Sequence, residues 1–240
     1  MRKLDCASVD STYESVTNLL DIGRTELEAR FVKANEDERP GLSYQELIRH
    51  FVFDEKDFNL PEPEVACWFH ATRITKGTSF SEGLKPTSKM RIQLVTMLAE
   101  LADEMKLCTK QEFSGLPLGG GDAFRVATKC ASTDFDDGPH GFLVREGVMS
   151  LYLEAPEFVR EYCRSLDRQI GGPLEDEFKR RTVPAIVKFT SNFQTKGTLE
   201  KALMYLLEKT KGKTENFSNS SIGIRRHKVE AADIESVEYL

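Results

Sequence analysis

The side chains best suited to chemistry lie in one short run, Trp68-Phe69-His70-Ala71-Thr72-Arg73. The apolar density from Val65 to Thr72 predicts a β-strand. Alternate residues of a strand share a face, so Trp68, His70 and Thr72 project together. A neutral imidazole can donate to a ribose hydroxyl, and a threonine hydroxyl can hold a second sugar or amide group. The pair therefore suits recognition of a nucleotide without a metal. The same pattern also describes a satisfied core histidine at the end of a strand. Arg73 points the other way in an ideal strand. It reaches a phosphate if the strand ends there, and otherwise makes a surface salt bridge.

Other constellations carry less. Leu118-Gly119-Gly120-Gly121-Asp122 lacks the Lys-Ser/Thr that completes a phosphate-binding loop, which leaves an active-site flap or a plain loop. His140 and Cys163 could enter a nucleophile set only by free assortment, and the four histidines have no metal-ligand spacing. Glu175-Asp176-Glu177-Phe178-Lys179-Arg180-Arg181 reads as a solvated helix face. Arg225-Arg226-His227-Lys228 is the one basic cluster, suited to RNA or phosphate but short enough to be plain surface.

These residues must be positioned by regular elements. Residues 11–33 space Tyr13, Val16, Leu19, Leu20, Leu27 and Phe31 for one amphipathic helix or two around Gly23. The polar stretch 34–41, closing on Pro40-Gly41, is the internal linker candidate. Ser43-Tyr44-Gln45-Glu46 has the form of a capping box opening a further helix. Beyond the strand at His70, a turn at Gly77 and the segment Gly83-Leu84-Lys85-Pro86 lead to a helical stripe over 91–107. Residues 114–124 form a loop. Residues 138–145 turn into a short strand, and Val148 to Leu153 predict another. Pro156 opens a helix through Cys163. Val183 to Phe189 reads as a strand with its proline at the start, Thr198 caps a helix through Leu207, and 222–229 and 234–240 are extended. The irregular alternation gives an α+β fold rather than a doubly wound one.

Three of these patches carry a family resemblance. Phe69-His70-Ala71-Thr72-Arg73, followed by Gly83-Leu84-Lys85-Pro86, resembles the opening strand and first turn of ADP-ribosyltransferases of the H-Y-E type. The resemblance implies that His70 and Thr72 hold the adenosine ribose and nicotinamide amide of NAD, with Arg73 beside them. It also implies that the backbone at Gly83 approaches the ligand, as a residue without a side chain permits. Ser150 to Tyr162 is similar to the family's central strand and following helix. By that likeness Tyr152 stacks on nicotinamide, while Tyr162 is structural. Lys228 to Glu238 is similar in cadence to the closing strand pair. The third motif departs from the family: where a glutamate is expected at 218–224, the chain reads Ser218-Asn219-Ser220-Ser221-Ile222-Gly223-Ile224. Glu215 upstream or Glu230 downstream is then left as the carboxylate that would stabilise an oxocarbenium-like centre.

The implied architecture is a central split or mixed β-sheet with surrounding helices, organised as a helical N-terminal region (1–60) and a nucleotide-binding domain (61–240). The implied activity is NAD-dependent ADP-ribosyl transfer to a protein or nucleic-acid acceptor, as in bacterial toxins or defence effectors. A non-catalytic nucleotide-sensing or protein-interaction module on the same fold is the alternative, and an RNA-binding effector the second. The formal charge of −6 and pI near 5.4 weigh against the last. With 240 residues, 40% of them hydrophobic, the chain can bury a core without metal or disulfide. Five scattered cysteines, none in a CxxC pair, predict reduced thiols. The absence of an apolar run of roughly 18 residues and of a leader-like start predicts a cytoplasmic protein with no membrane partner.

Overall fold

The computed structural model describes residues 1–36, 46, 48, 60–116, 138–149, 157–193, 195–212, 221–223 and 228–240. Its strands are β1 (Lys3–Leu4), β2 (Val65–Ile74), β3 (His140–Phe142), β4 (Val183–Ser191), β5 (Ser221–Gly223) and β6 (Ile234–Tyr239). Its helices are α1 (Val9–Leu20), α2 (Arg24–Glu36), α3 (Thr87–Glu104), α4 (Lys110–Gly115), α5 (Arg145–Met149), α6 (Glu157–Ile170), α7 (Leu174–Arg181) and α8 (Thr198–Thr210). The class is α+β with a mixed sheet. The strand order is β5-β3-β2-β4-β6, with β1 also on β2. β1 runs parallel to β2 (Lys3 opposite Val65), whereas β3 is antiparallel to it (Phe69 opposite Phe142). No helix among the described residues is long and apolar enough to cross a membrane.

The chain gathers into two compact units that interleave in sequence: Met1–Phe69, Gly141–Met149 and Phe189–Ile222, and then His70–His140, Ser150–Lys188 and Gly223–Leu240. In the first unit, the 11–33 periodicity resolves into two helices. Asp21 turns into the left-handed region at the end of α1, and α2 begins after Gly23. Ser8 starts α1: its hydroxyl accepts the Ser11 N–H, and the Ser11 hydroxyl accepts the Ser8 N–H, so a serine stands where a capping box usually has glutamate. Tyr13, Val16, Leu19, Leu27 and Phe31 are buried with Leu203 and Leu206 of α8. The Asn35 amide donates to Thr210 Oγ1 at 2.9 Å. The stretch expected as a linker begins inside α2, whose last residue is Glu36.

Helix α5 replaces the start of the strand expected over 148–153, since Val148 and Met149 complete its turn. A tertiary tie overrides the strand preference of these apolar residues. Glu146 in that turn accepts the Tyr205 hydroxyl (3.0 Å) and pairs with Lys209 Nζ (2.6 Å), both from α8. The cap expected at Thr198 also shifts by one residue: Gly197, at φ +75°, is the N-cap, and Thr198 is the first helical residue.

In the second unit α3, α4, α6 and α7 enclose a core of Leu98, Leu101, Phe113, Tyr162, Leu166 and Phe178. Tyr162 is thus a packing residue. Helix α4 opens on a second capping box, in which Thr109 Oγ1 accepts the Glu112 N–H and the Glu112 carboxylate accepts the Thr109 N–H. Helix α7 starts at Pro173 without a side-chain cap of its own, and Asp167 of α6 accepts the Leu174 N–H instead. Its acidic first turn and basic last turn complement the helix dipole, and Glu177 bridges Arg180 and Arg181; the run expected as a solvated face also turns Phe178 into the core. At the strand edge, Leu240 N bonds Pro184 O while Glu235 pairs with Lys188, a register that makes β4 and β6 antiparallel. Cys6, Cys67 and Cys163 are buried thiols.

Candidate functional site

Strand β2 changes character at His70. Ala66, Cys67, Trp68 and Phe69 are all buried, which breaks the alternation of a half-solvated strand and marks one covered on both faces. From His70 onward every residue to Ile74 is half-buried. The residue types follow: the strand runs apolar while enclosed and turns polar where it emerges.

At that transition the imidazole is anchored. His70 Nδ1 lies 2.6 Å from the carbonyl oxygen of His140. A carbonyl can only accept, so Nδ1 carries the proton and, in the neutral ring, Nε2 holds the lone pair. Burial pushes the His70 pKa below its ordinary value. The bond to His140 O opposes this, and the His140 charge adds to it. The ring is therefore held as the neutral Nδ1–H tautomer, an acceptor at Nε2. Thr72, two residues further along the same strand face, makes no side-chain hydrogen bond among the described residues. Two strand positions correspond to about 7 Å, a separation suited to two polar groups of one ligand.

Arg73, on the opposite strand face, is committed elsewhere. Its Nη2 donates to Lys179 O (2.8 Å) and Thr182 O (2.9 Å), and its Nε to Thr182 Oγ1 (3.1 Å). These are the carbonyls left without intrahelical partners at the end of α7, so the guanidinium serves as a C-terminal cap. Its partial burial lowers its pKa.

Gly83 packs against the backbone at Val229 in the same unit. Leu84 and Val229 exchange both backbone hydrogen bonds, each 2.9 Å. Gly83, at φ +76°, lies so close that a Cβ would overlap Val229 O, with Val229 C at 2.9 Å and Ala231 N at 3.1 Å. The close approach that glycine permits here is to the chain's own backbone. Glu230 follows Val229, is exposed, and pairs with Lys228 at 2.8 Å. Glu82 and Lys85 form a further pair beside it, at 2.6 Å. Lys228 is the member of the basic cluster that the structure describes. Tyr152, Glu215, the Gly119–Gly121 loop and Ser43 of the expected capping box lie outside the described residues.

Sequence reasoning missed the role of His140, which supplies a backbone carbonyl rather than a side chain. Its only legible signal was Gly138-Pro139-His140-Gly141, a turn feeding a strand. Gly141 is required there, because a Cβ would fall 2.8 Å from the Phe189 ring and 2.9 Å from Trp68 Cβ. Comparisons with protein-family models, with curated proteins and with solved structures return no match.

Proposed function

We propose that the chain binds a dinucleotide of the NAD class at the emerging end of β2 and transfers its ADP-ribose to a protein or nucleic-acid acceptor, in the manner of a toxin or defence effector. The observation that carries this reading is the anchored neutral imidazole of His70, with the uncommitted Thr72 hydroxyl two residues away. Nε2 accepts a ribose hydroxyl, and Thr72 meets a second sugar or amide group. The reading draws on the H-Y-E resemblance for Tyr152 as the nicotinamide stacker and for a carboxylate, Glu215 or Glu230, facing the oxocarbenium-like centre. An ADP-ribosyltransferase-like arrangement of the mixed sheet belongs to the same proposal.

A second reading is favoured by two observations: Arg73 is spent on α7, and Glu230 is an exposed partner of Lys228. A site so arranged binds a nucleotide without transferring it, as a sensing or protein-interaction module. One experiment separates the readings. The purified protein is incubated with NAD, free nicotinamide is quantified, and NAD binding is followed by calorimetry. Nicotinamide release supports transfer or hydrolysis, and saturable binding without release supports the module. His70→Ala is expected to abolish binding while thermal unfolding stays cooperative. Affinity unchanged in that variant refutes the site.

A further inference from the structure

The first unit contains a cleft of about 480 Å³, formed between the segment that leads into β1 and one side of α1. This lies within the range of metabolite pockets, about 300–1,000 Å³. Its frame is fixed by the backbone. Arg2 O accepts the Glu64 N–H at 2.8 Å, which seats the start of β1 beside β2. Ser15 Oγ, on the buried side of α1, accepts the Asp5 N–H at 3.0 Å and ties the helix to the strand. Leu19, 3% exposed, supplies an apolar floor.

Several charges of this unit are paired where they stand. Arg24 pairs with Asp10 and Glu28, Arg30 with Glu26, and Lys209 with Glu146. Arg2 and Glu14 are not among these pairs. Both line the cleft, yet among the described residues neither side chain makes a hydrogen bond or ion pair, even with the other. Asn18, one turn beyond Glu14 on α1, also lines the cleft, and its amide makes no hydrogen bond among the described residues. Lys3 and Asp5 also line the cleft but are already engaged within the chain, which leaves a planar cationic fork, a carboxylate and an amide that can donate and accept, above an apolar floor.

From this we infer that the cleft is a binding site for a small zwitterion of the α-amino-acid or dipeptide class. The ligand carboxylate is taken in bidentate fashion by Arg2, its ammonium by Glu14, a further polar group by Asn18, and its side chain rests on Leu19. The site uses no residue of the His70 proposal, so either stands if the other fails.

The test is a ¹⁵N-resolved NMR titration of the full chain with each of the free L-amino acids, and with the N-acetyl amides of those that bind. The amides keep the side chain and lose both charges. Support is a saturable shift of amides in residues 1–19 by at least one free amino acid, weakened about tenfold or more by Arg2→Ala and by Glu14→Ala, and absent with its N-acetyl amide. Both replaced side chains are exposed, and an unchanged spectrum outside the cleft verifies the fold of each variant. The proposal is overturned if no free amino acid shifts those amides at millimolar concentration, if the shifts survive in both variants, or if the N-acetyl amide binds equally well.

Discussion

Replacing Gly83 with alanine tests the corner where Gly83 meets Val229. Two separable costs arise. The first is conformational: at φ +76° an alanine sits in the left-handed region, which costs about 1–2 kcal/mol. The second is steric. The new Cβ overlaps Val229 O, so the two segments must part and the paired bonds between Leu84 and Val229 are stretched or lost. At about 0.5–1.5 kcal/mol each, they add about 1–3 kcal/mol, for a total of about 2–5 kcal/mol. Gly77→Ala is the internal control, because Gly77 has φ +88° with open space around it, so it bears the conformational cost alone. Urea unfolding of the wild type and both variants gives the answer through the midpoints, provided the m-values match. Gly83→Ala should be less stable than Gly77→Ala by about 1–3 kcal/mol. If the two cost the same, the Gly83–Val229 packing does not exist as described.

Three further outcomes follow from the geometry. Arg73→Ala should lower stability by about 2–4 kcal/mol, since several charge-assisted bonds to the end of α7 are lost, and Arg73→Lys should recover less than half, because one ammonium cannot reproduce the fork; equal stability of wild type and Arg73→Ala in urea refutes the capping role. His70 has a folded pKa depressed below the ordinary value near 6.5, so the unfolded chain takes up its proton first. Stability should therefore be complete above about pH 6.5 and fall as pH drops towards the folded pKa, and the same urea series on His70→Gln should lack that share of the decline. Tyr205→Phe removes one hydrogen bond to the Glu146 carboxylate while leaving the Lys209 pair, and should cost about 1–2 kcal/mol, or a few degrees in Tm for a chain of this size; a melt that does not move argues against the tie between α5 and α8.

What could be read from residue order was what local chemistry decides. Val65 to Thr72 announced a strand through its apolar density, the helix after Pro156 followed from punctuation that acts within a turn or two, and Gly23 marked where a split could fall without deciding between one helix and two. The helical reading of 175–181 was equally local. What escaped depends on partners far along the chain. Val148 and Met149 look like strand residues until Glu146 is tied to a helix some sixty positions on. Arg73 advertises a guanidinium, but only the fold delivers the end of α7 to it. The anchor of His70 is a carbonyl, the one group every residue shares, so its donor names no residue type that a motif could contain. Gly83 was legible as a tight approach, though not what it approaches.

The two capping boxes differ in a way that reaches beyond helix initiation. Glu112 closes the latch on α4 with an ionised group, held below its usual acidity range by the Thr109 bonds, whereas α1 is fastened by two hydroxyls with nothing to protonate. Acid should therefore open the first turn of α4 as it neutralises Glu112, and leave that of α1 shut. Amide exchange at Lys110–Phe113 and at Val9–Thr12 would then accelerate at different acidities, a built-in gauge of local fraying against global collapse.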